Sequence, residues 1–540
     1  IMSEGLFLHT NVETPYGTVR ATNGGFYRFQ PQRRHLERFA QIPIPNPWGT
    51  AFDAFGQPFF LNTSDPAVRW MMPSTLRNHY AVQAPMSRQL IQEDQRVRPT
   101  SGVEFVSSRH FPDAVQGDML YNNTIGFLGT KQHAFTDDGT GYKATFRQDL
   151  LQGTDPNFRP VDLEFAPDGS LYVVDWHNVL VGHMQHNARD PLRDHVHGRI
   201  YRITYPGRPL VKPAQIAGAP LATLLDNLKL PEYRSRYRTH RELRGRDKAE
   251  VLPAITAWAG DLDNTDANYE RWLLEALWVT WGQNGIDQQL LEAVLQAEDF
   301  RVRAAGVYAL RYNMDRINNA TELMNRAAAD AHGRVRLMAV IAATWMPEDV
   351  GRMILATASQ HPVDGWMKDT YEAAPKFLTG EGLEQGRGGD VVVSHLKGED
   401  LAQFARGWDL YHKDGSCVTC HQKTGKGLTA SGFPPLAESR WVTDNPEVLA
   451  RIMLKGLIGP IVVNGQEYPG QVPMTPYEHL LTDAELADVM TYVRNAFGNR
   501  SSVVTEDFVA RVRAAVEASG KKGYYRAEEL VPLLVEGTGK

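Results

Sequence analysis

"GSCVTCHQKTG", residues 415–425, holds both cysteines of a 540-residue chain, separated by two residues and followed at once by histidine. Two thiols cannot build a disulfide framework. A Cys-x-x-Cys pair otherwise serves as a redox dithiol, as half of a zinc site, or as a haem attachment site. Zinc takes about four ligands, usually from a second pair at finger spacing. No other cysteine exists, and His421 lies too close to act as a distant partner. A thioredoxin-like pair needs a βαβ setting, whereas this one follows a helical pattern. Haem c accounts for every part: Cys417 and Cys420 add to the two vinyl groups, and His421 binds the iron.

The flanks agree. "DLAQFARGWDLYHKDGSCVTCH" places Leu401, Phe404, Trp408 and Tyr411 on one helical face just before the motif. "LTDAELADVMTYVRNAFGN" opens on a capping box, Thr482 to Glu485, and lines up Leu486, Val489, Met490, Val493 and Phe497. Two amphipathic helices crossing over a haem bury the cofactor in small cytochromes, and the stretch resembles class I cytochrome c. The sixth ligand should be a soft atom on the loop between them. Met474 in "GQVPMTPYEHL" is framed by Pro473 and Pro476, which stiffen that loop. It stands 53 residues after His421, where the family places its axial methionine. Met453 falls in a helical pattern and is expected to pack; His479 is the alternative ligand. In similar cytochromes a proline carbonyl accepts the proximal histidine's Nδ1–H. By position the match is Pro435, with Pro434 its neighbour. A His421/Met474 pair implies electron transfer rather than oxygen chemistry.

The whole chain is too long for a single hydrophobic core. Its 42% apolar and 22% charged residues are ordinary for soluble globular protein. A net charge of −6 without a long basic run argues against nucleic acid as a partner. No apolar run reaches the roughly 18 residues that span a bilayer. The opening "IMSEGLFLHTNVETPYG" lacks the order of a secretory signal. Covalent haem attachment takes place outside the bacterial cytoplasmic membrane. A periplasmic or other extracytoplasmic location is therefore expected, with the export signal on a longer precursor.

Residues 1–210 carry short aromatic and β-branched runs between Gly, Pro, Asn and Asp, the pattern of many strands and turns. "NPWGTAFDAFGQPFFLN" (46–62) and "RPVDLEFAPDGSLYVVD" (159–175) align without a gap, pairing Pro47 with Pro160 and Gly56 with Gly169. Such repeated antiparallel units suggest β-propeller blades, the last strand lying in "GRIYRITY" (198–205). From 213 to 390 the period becomes helical. "RVRAAGVYAL" (301–310) and "RVRLMAVIAA" (334–343) stand 33 residues apart, with "YERWLLEALW" (269–278) a looser relative, which argues for a HEAT-like α-solenoid. Residues 394–500 form the all-α cytochrome c domain, and 501–540 read as two amphipathic helices.

These segments, with "SSRHFPDAVQGDMLYNN", "RDPLRDHVHGRIYRI" and "FPPLAESRWV", resemble the propeller–HEAT–cytochrome c proteins of Planctomycetes and Verrucomicrobia. Those proteins are described as membrane-bound dehydrogenases with a haem-binding domain. "FPDAVQGDMLY" and "FAPDGSLYVVD" also resemble soluble quinoprotein sugar dehydrogenases, which use pyrroloquinoline quinone and calcium. The resemblance implies an electron-accepting module of a sugar or alcohol dehydrogenase, or else a haem-bearing relay subunit of a larger complex. Its partners would be redox proteins or other subunits. About 210 residues hold only part of a propeller, so the early blades that carry quinone and catalytic residues are absent and no catalytic residue is assigned.

One further cluster stands between Asp175 and Arg199: His177, His183, His186, His195 and His197, with Asp190, Arg193 and Asp194. His183 and His186 could bind a metal if both rings faced one side. The plainer expectation is a polar loop whose side chains bond to one another. Asp168-Gly169 reads as a turn.

Overall fold

The two echoing segments fold as the same hairpin. Pro47–Phe52 pairs antiparallel with Pro58–Asn62, and Pro160–Phe165 with Leu171–Asp175. In the first turn the Asp53 N–H donates to the Gln57 carbonyl (3.1 Å) and the Gly56 N–H to the Asp53 carbonyl (3.2 Å). In the second, Ala166 and Ser170 (2.8 Å) and Gly169 and Ala166 (2.9 Å) repeat those two bonds. Gly56 and Gly169 both need a left-handed backbone, φ +76° and +83°, which a Cβ would strain. A third strand completes each sheet, Ala67–Trp70 in one and Arg199–Ile203, the expected last strand, in the other.

The structure is a computed structural model that describes residues 1–540 except 6–8, 23, 81, 180–190, 382, 384–392, 394, 414–415, 430–431, 471 and 537–540. The sheet-rich region also holds a three-stranded sheet (Met2–Glu4, Gly25–Gln30, His35–Gln41) and the hairpin His9–Thr14/Gly17–Thr22. A four-stranded meander runs through Thr100–Phe105, Met119–Asn123, Gly129–Asp138 and Gly141–Gln152. Every pairing in this region is antiparallel, and among the described residues each sheet is open.

Helices follow from Leu221–Asn227 to Lys368–Thr379. The helices Phe300–Arg311 and Gly333–Ala343 start 33 residues apart, as the repeat in the sequence predicts. Asp299 and His332 cap their first turns by accepting the N–H two residues on. Each helix also carries an arginine that reaches back. Arg303 Nη1 bonds the carbonyls of Ala297 and Glu298, and Arg336 Nη1 those of Asp330 and Ala331. The helix Tyr233–Arg244 repeats the clasp, Arg236 Nη1 to Leu230 and Pro231, although its sequence carries no visible copy of the repeat.

One continuous core runs from Phe26, Phe59 and Trp70 in the strands to Leu337, Ile354 and Phe377 in the helices. Arg334 locks this junction: its Nε donates to the Thr140 carbonyl (2.9 Å) and its guanidinium lies 3.9 Å over the Tyr142 ring. A second core belongs to the C-terminal helices. Gly398–His412 crosses Asp483–Asn495 through Phe404, Tyr411, Leu486, Val489 and Val493. The capping box Thr482/Glu485 is present as expected. The tail forms two helices, Glu506–Ala518 and Ala527–Glu536, and Val509, Val512 and Val516 enter the same core. The chain is thus multidomain: a sheet-rich region, a helical middle and a helical C-terminal domain.

Candidate haem site

The motif forms a one-turn helix, Val418–His421, directly after the helix Gly398–His412. The chain then turns sharply at Gln422, whose φ of +62° is held by the Tyr411 hydroxyl donating to the Gln422 carbonyl at 2.7 Å. Tyr411 is fully buried, so this bond ties the first helix to the turn behind His421.

His421 Nδ1 donates to the Pro434 carbonyl at 2.9 Å. This corrects the expectation of Pro435. Leu428 and Phe433 bond reciprocally through their backbones, 2.9 and 3.1 Å, while Leu436 and Ala437 donate to Gly425. Those ties fix the loop's register, and along an extended Pro-Pro segment successive carbonyls point in different directions, so only Pro434's faces the imidazole. Pro435 instead lines the apolar slot beside it. The bond sets the tautomer: with the proton on Nδ1, Nε2 carries the lone pair. Burial lowers the pKa of His421 and so favours the neutral, ligand-competent form.

Cys417 is buried and Cys420 partly so, and no disulfide joins them. Burial pushes both thiols up; the Arg98 guanidinium opposes it at Cys420, and bonds to Ser416 and Tyr477 oppose it at Cys417. Among the described residues no three His, Cys, Asp or Glu side chains converge into a metal-binding group.

Met474 comes from the loop before the last crossing helix. Its N–H donates to the Leu457 carbonyl at 2.8 Å, and its side chain packs against both the main cytochrome core and the Leu530 cluster of the tail. Cys417, Cys420, His421 and Met474 line one cavity of about 330 Å³. Behind it runs a slot of about 70 Å³, walled by Leu436, Leu449, Ile452, Met453 and Val489. Two thiols, an imidazole with one free nitrogen and a thioether facing an apolar slot are the donor set and surroundings that a covalently held haem needs. Met453 packs in the helix Pro446–Lys455, as expected. His479, the alternative ligand, is 87% exposed at its side chain and pairs with Glu478 instead.

The histidine cluster is divided. His183, His186 and Asp190 lie outside the described residues. Of the rest, Asp194 gathers His197 (Nδ1 to Oδ2, 2.8 Å) and His177 (Nε2 to Oδ2, 3.6 Å) and accepts the backbone N–H groups of Val196 and His197. Those bonds, the backbone pair first, hold its carboxyl well below the usual range. Asp175 caps Arg159 and His177 and pairs with Arg199. This part is a self-bonded polar loop. Asp168 accepts from Ser170 in its turn, as read from the sequence.

Two family models match the chain. One, described as a domain of unknown function (DUF7133), covers residues 3–207, and the other, Cytochrome c, covers residues 404–497. Among curated proteins, the cytochrome c subunit of the quinone alcohol dehydrogenase of Gluconobacter oxydans (strain 621H) is 30% identical over 156 residues, 27% of this chain and 30% of that protein. The subunits of the same description from Gluconacetobacter polyoxogenes and Komagataeibacter europaeus are 34% identical over 119 residues, 21% of this chain and 24% of each. The chain therefore matches about a quarter to a third of the length of these relatives. Residues 404–497 are a cytochrome c domain, and the chain carries an electron-transfer haem module with haem c bound covalently.

Proposed function

We propose that Cys417 and Cys420 carry the haem through two thioether bonds, that His421 and Met474 are its axial ligands, and that Pro434 orients the imidazole. The observation that carries this reading is the 2.9 Å bond from His421 Nδ1 to Pro434 in the wall of a cavity shared with Met474 and both thiols. When bound, such a haem supplies reversible one-electron transfer at a raised potential, with no open position for oxygen. The chain's own groups do the rest. Pro434 fixes the histidine tautomer, Leu457 positions the Met474 backbone, and the apolar slot excludes water.

The wider role is the electron-accepting module of an extracytoplasmic dehydrogenase for a sugar or alcohol. The matching curated proteins are described as cytochrome c subunits of a quinone alcohol dehydrogenase, which supports this reading. The sheet-rich region is read as part of a β-propeller and the helical middle as a HEAT-like solenoid, as in the Planctomycetes and Verrucomicrobia proteins. The identical hairpin turns and the repeated arginine clasps support those two readings. Pyrroloquinoline quinone and calcium would belong to the propeller. No helix of the described residues is long and apolar enough to cross a membrane. A second reading is a relay that passes electrons within a complex, which the relatives' description as subunits favours.

Alkaline pyridine spectroscopy of the protein made with haem c maturation tests the first part: a c-type haemochrome at one per chain is expected, and a colourless protein refutes it. The dehydrogenase is tested on the native assembly, with and without quinone and calcium. Haem reduction by one member of a sugar and alcohol panel is expected; none across a broad panel leaves the relay.

A further inference from the structure

The cavity that holds Cys417, Cys420, His421 and Met474 is not closed by the cytochrome domain alone. Trp48, Ser64, Arg98, Pro99, Ile125 and Trp176, all from the sheet-rich region, form its other wall. Arg98 reaches the haem-binding motif itself. Its Nε donates to the Ser64 carbonyl at 3.2 Å, and its Nη1 lies 3.9 Å from Cys420 Sγ, across 322 positions of sequence. Cys420 is the thiol that this wall meets, so its side of the site is the one turned toward the sheet-rich region.

We infer that the sheet-rich region covers the cysteine-bearing edge of the haem, making that edge an internal junction of the chain, and that Arg98 is a positioning residue holding a positive charge against it. This rests on the haem reading above. An electron arriving on the iron lowers the charge of the site by one, and a fixed cation nearby stabilises the reduced form in a medium of low dielectric. Trp48 and Trp176 bring indole rings to the same wall and shield the edge from small solutes.

The test uses the full-length haem-loaded protein. Arg98→Gln is expected to shift the reduction equilibrium toward the oxidised form by about threefold to tenfold, tenfold being about 59 mV for one electron. Arg98→Lys, which keeps the charge, should recover most of that shift. The Trp48→Ala/Trp176→Ala double variant should raise the rate of haem reduction by a small uncharged quinol severalfold, because the edge is uncovered. A potential that does not move in Arg98→Gln, or moves equally in Arg98→Lys, overturns the electrostatic role. An unchanged quinol rate overturns the covered edge. A preparation without a pyridine haemochrome overturns the haem reading itself, and this inference with it, so the two failures are distinguishable.

Discussion

Tyr525 of the tail pairs through its backbone with Gly456, donating to its carbonyl at 3.1 Å and accepting from Ile458 at 2.9 Å. Leu457, held between those two bonds, is the residue whose carbonyl receives the Met474 N–H. The tail therefore supports the loop that presents the methionine. Leu530, fully buried, anchors this arrangement against Val448 and Ile452. Leu530→Ala should cost about 2–4 kcal/mol by loss of burial and a residual cavity. Denaturant unfolding measures that cost, and the methionine–iron charge-transfer band should weaken at denaturant concentrations where the helices remain intact.

Gly407 sits where the helix Gly398–His412 meets the helix Asp483–Asn495. A methyl group there would collide with the Asp488 carbonyl and with Cβ of Tyr492. Alanine is the better helix former by about 1 kcal/mol, yet the collision involves backbone that cannot step aside. Gly407→Ala should therefore destabilise the domain by about 1–3 kcal/mol net, opposite in sign to the propensity change. Thermal unfolding of the haem domain decides it, and an unchanged or raised midpoint would contradict the close crossing.

What could be read from the sequence was what local spacing encodes. The Cys-x-x-Cys-His run, the capping box at Thr482 and the Pro-framed Met474 all announce themselves within a few residues. So do the two hairpins, because one glycine in a left-handed turn recurs at the same offset in both. The misses are long-range. Nothing local to Arg98 points to Cys420, and nothing in "KKGYYRAEEL" announces the pairing with Gly456. Local sequence does not separate Pro434 from Pro435, because the Leu428/Phe433 pairing sets the register and exists only once the loop closes. Helical spacing puts Tyr411 on the buried face, but nothing in that spacing specifies its hydroxyl bond to Gln422.

Met474 offers a test that separates ligation from packing. Met474→His supplies a harder nitrogen ligand of comparable reach, whereas Met474→Leu keeps the bulk and removes the donor. If Met474 ligates, the histidine variant should keep a six-coordinate spectrum with a midpoint potential lower by an amount on the order of 0.1 V or more. The leucine variant should lose the thioether ligand and take up external ligands such as imidazole. Potentiometry and visible spectroscopy read both. A leucine variant spectroscopically identical to the wild type would assign Met474 to packing alone.

His133 gives the chain an acid-sensitive point away from the haem site. It is fully buried in the four-stranded meander, stacked on Tyr121 at 5.4 Å, and neither ring nitrogen has a hydrogen-bond partner. Burial, with the nearby Lys131 ammonium, lowers its pKa to about 4. In the unfolded chain it titrates near 6.5, so above that pH it is neutral in both states and adds no pH dependence to stability. As pH falls below about 6.5 the unfolded state takes up the proton first, and stability drops until the folded state also binds it near pH 4. A shift of that size corresponds to about 3 kcal/mol lost across the window. His133→Phe keeps the stacking and removes the titration. Urea unfolding at pH 7 and at pH 4.5 should show the wild type losing more stability than the variant between the two. Equal losses would mean that His133 is protonated in the folded protein and that the meander opens to water there.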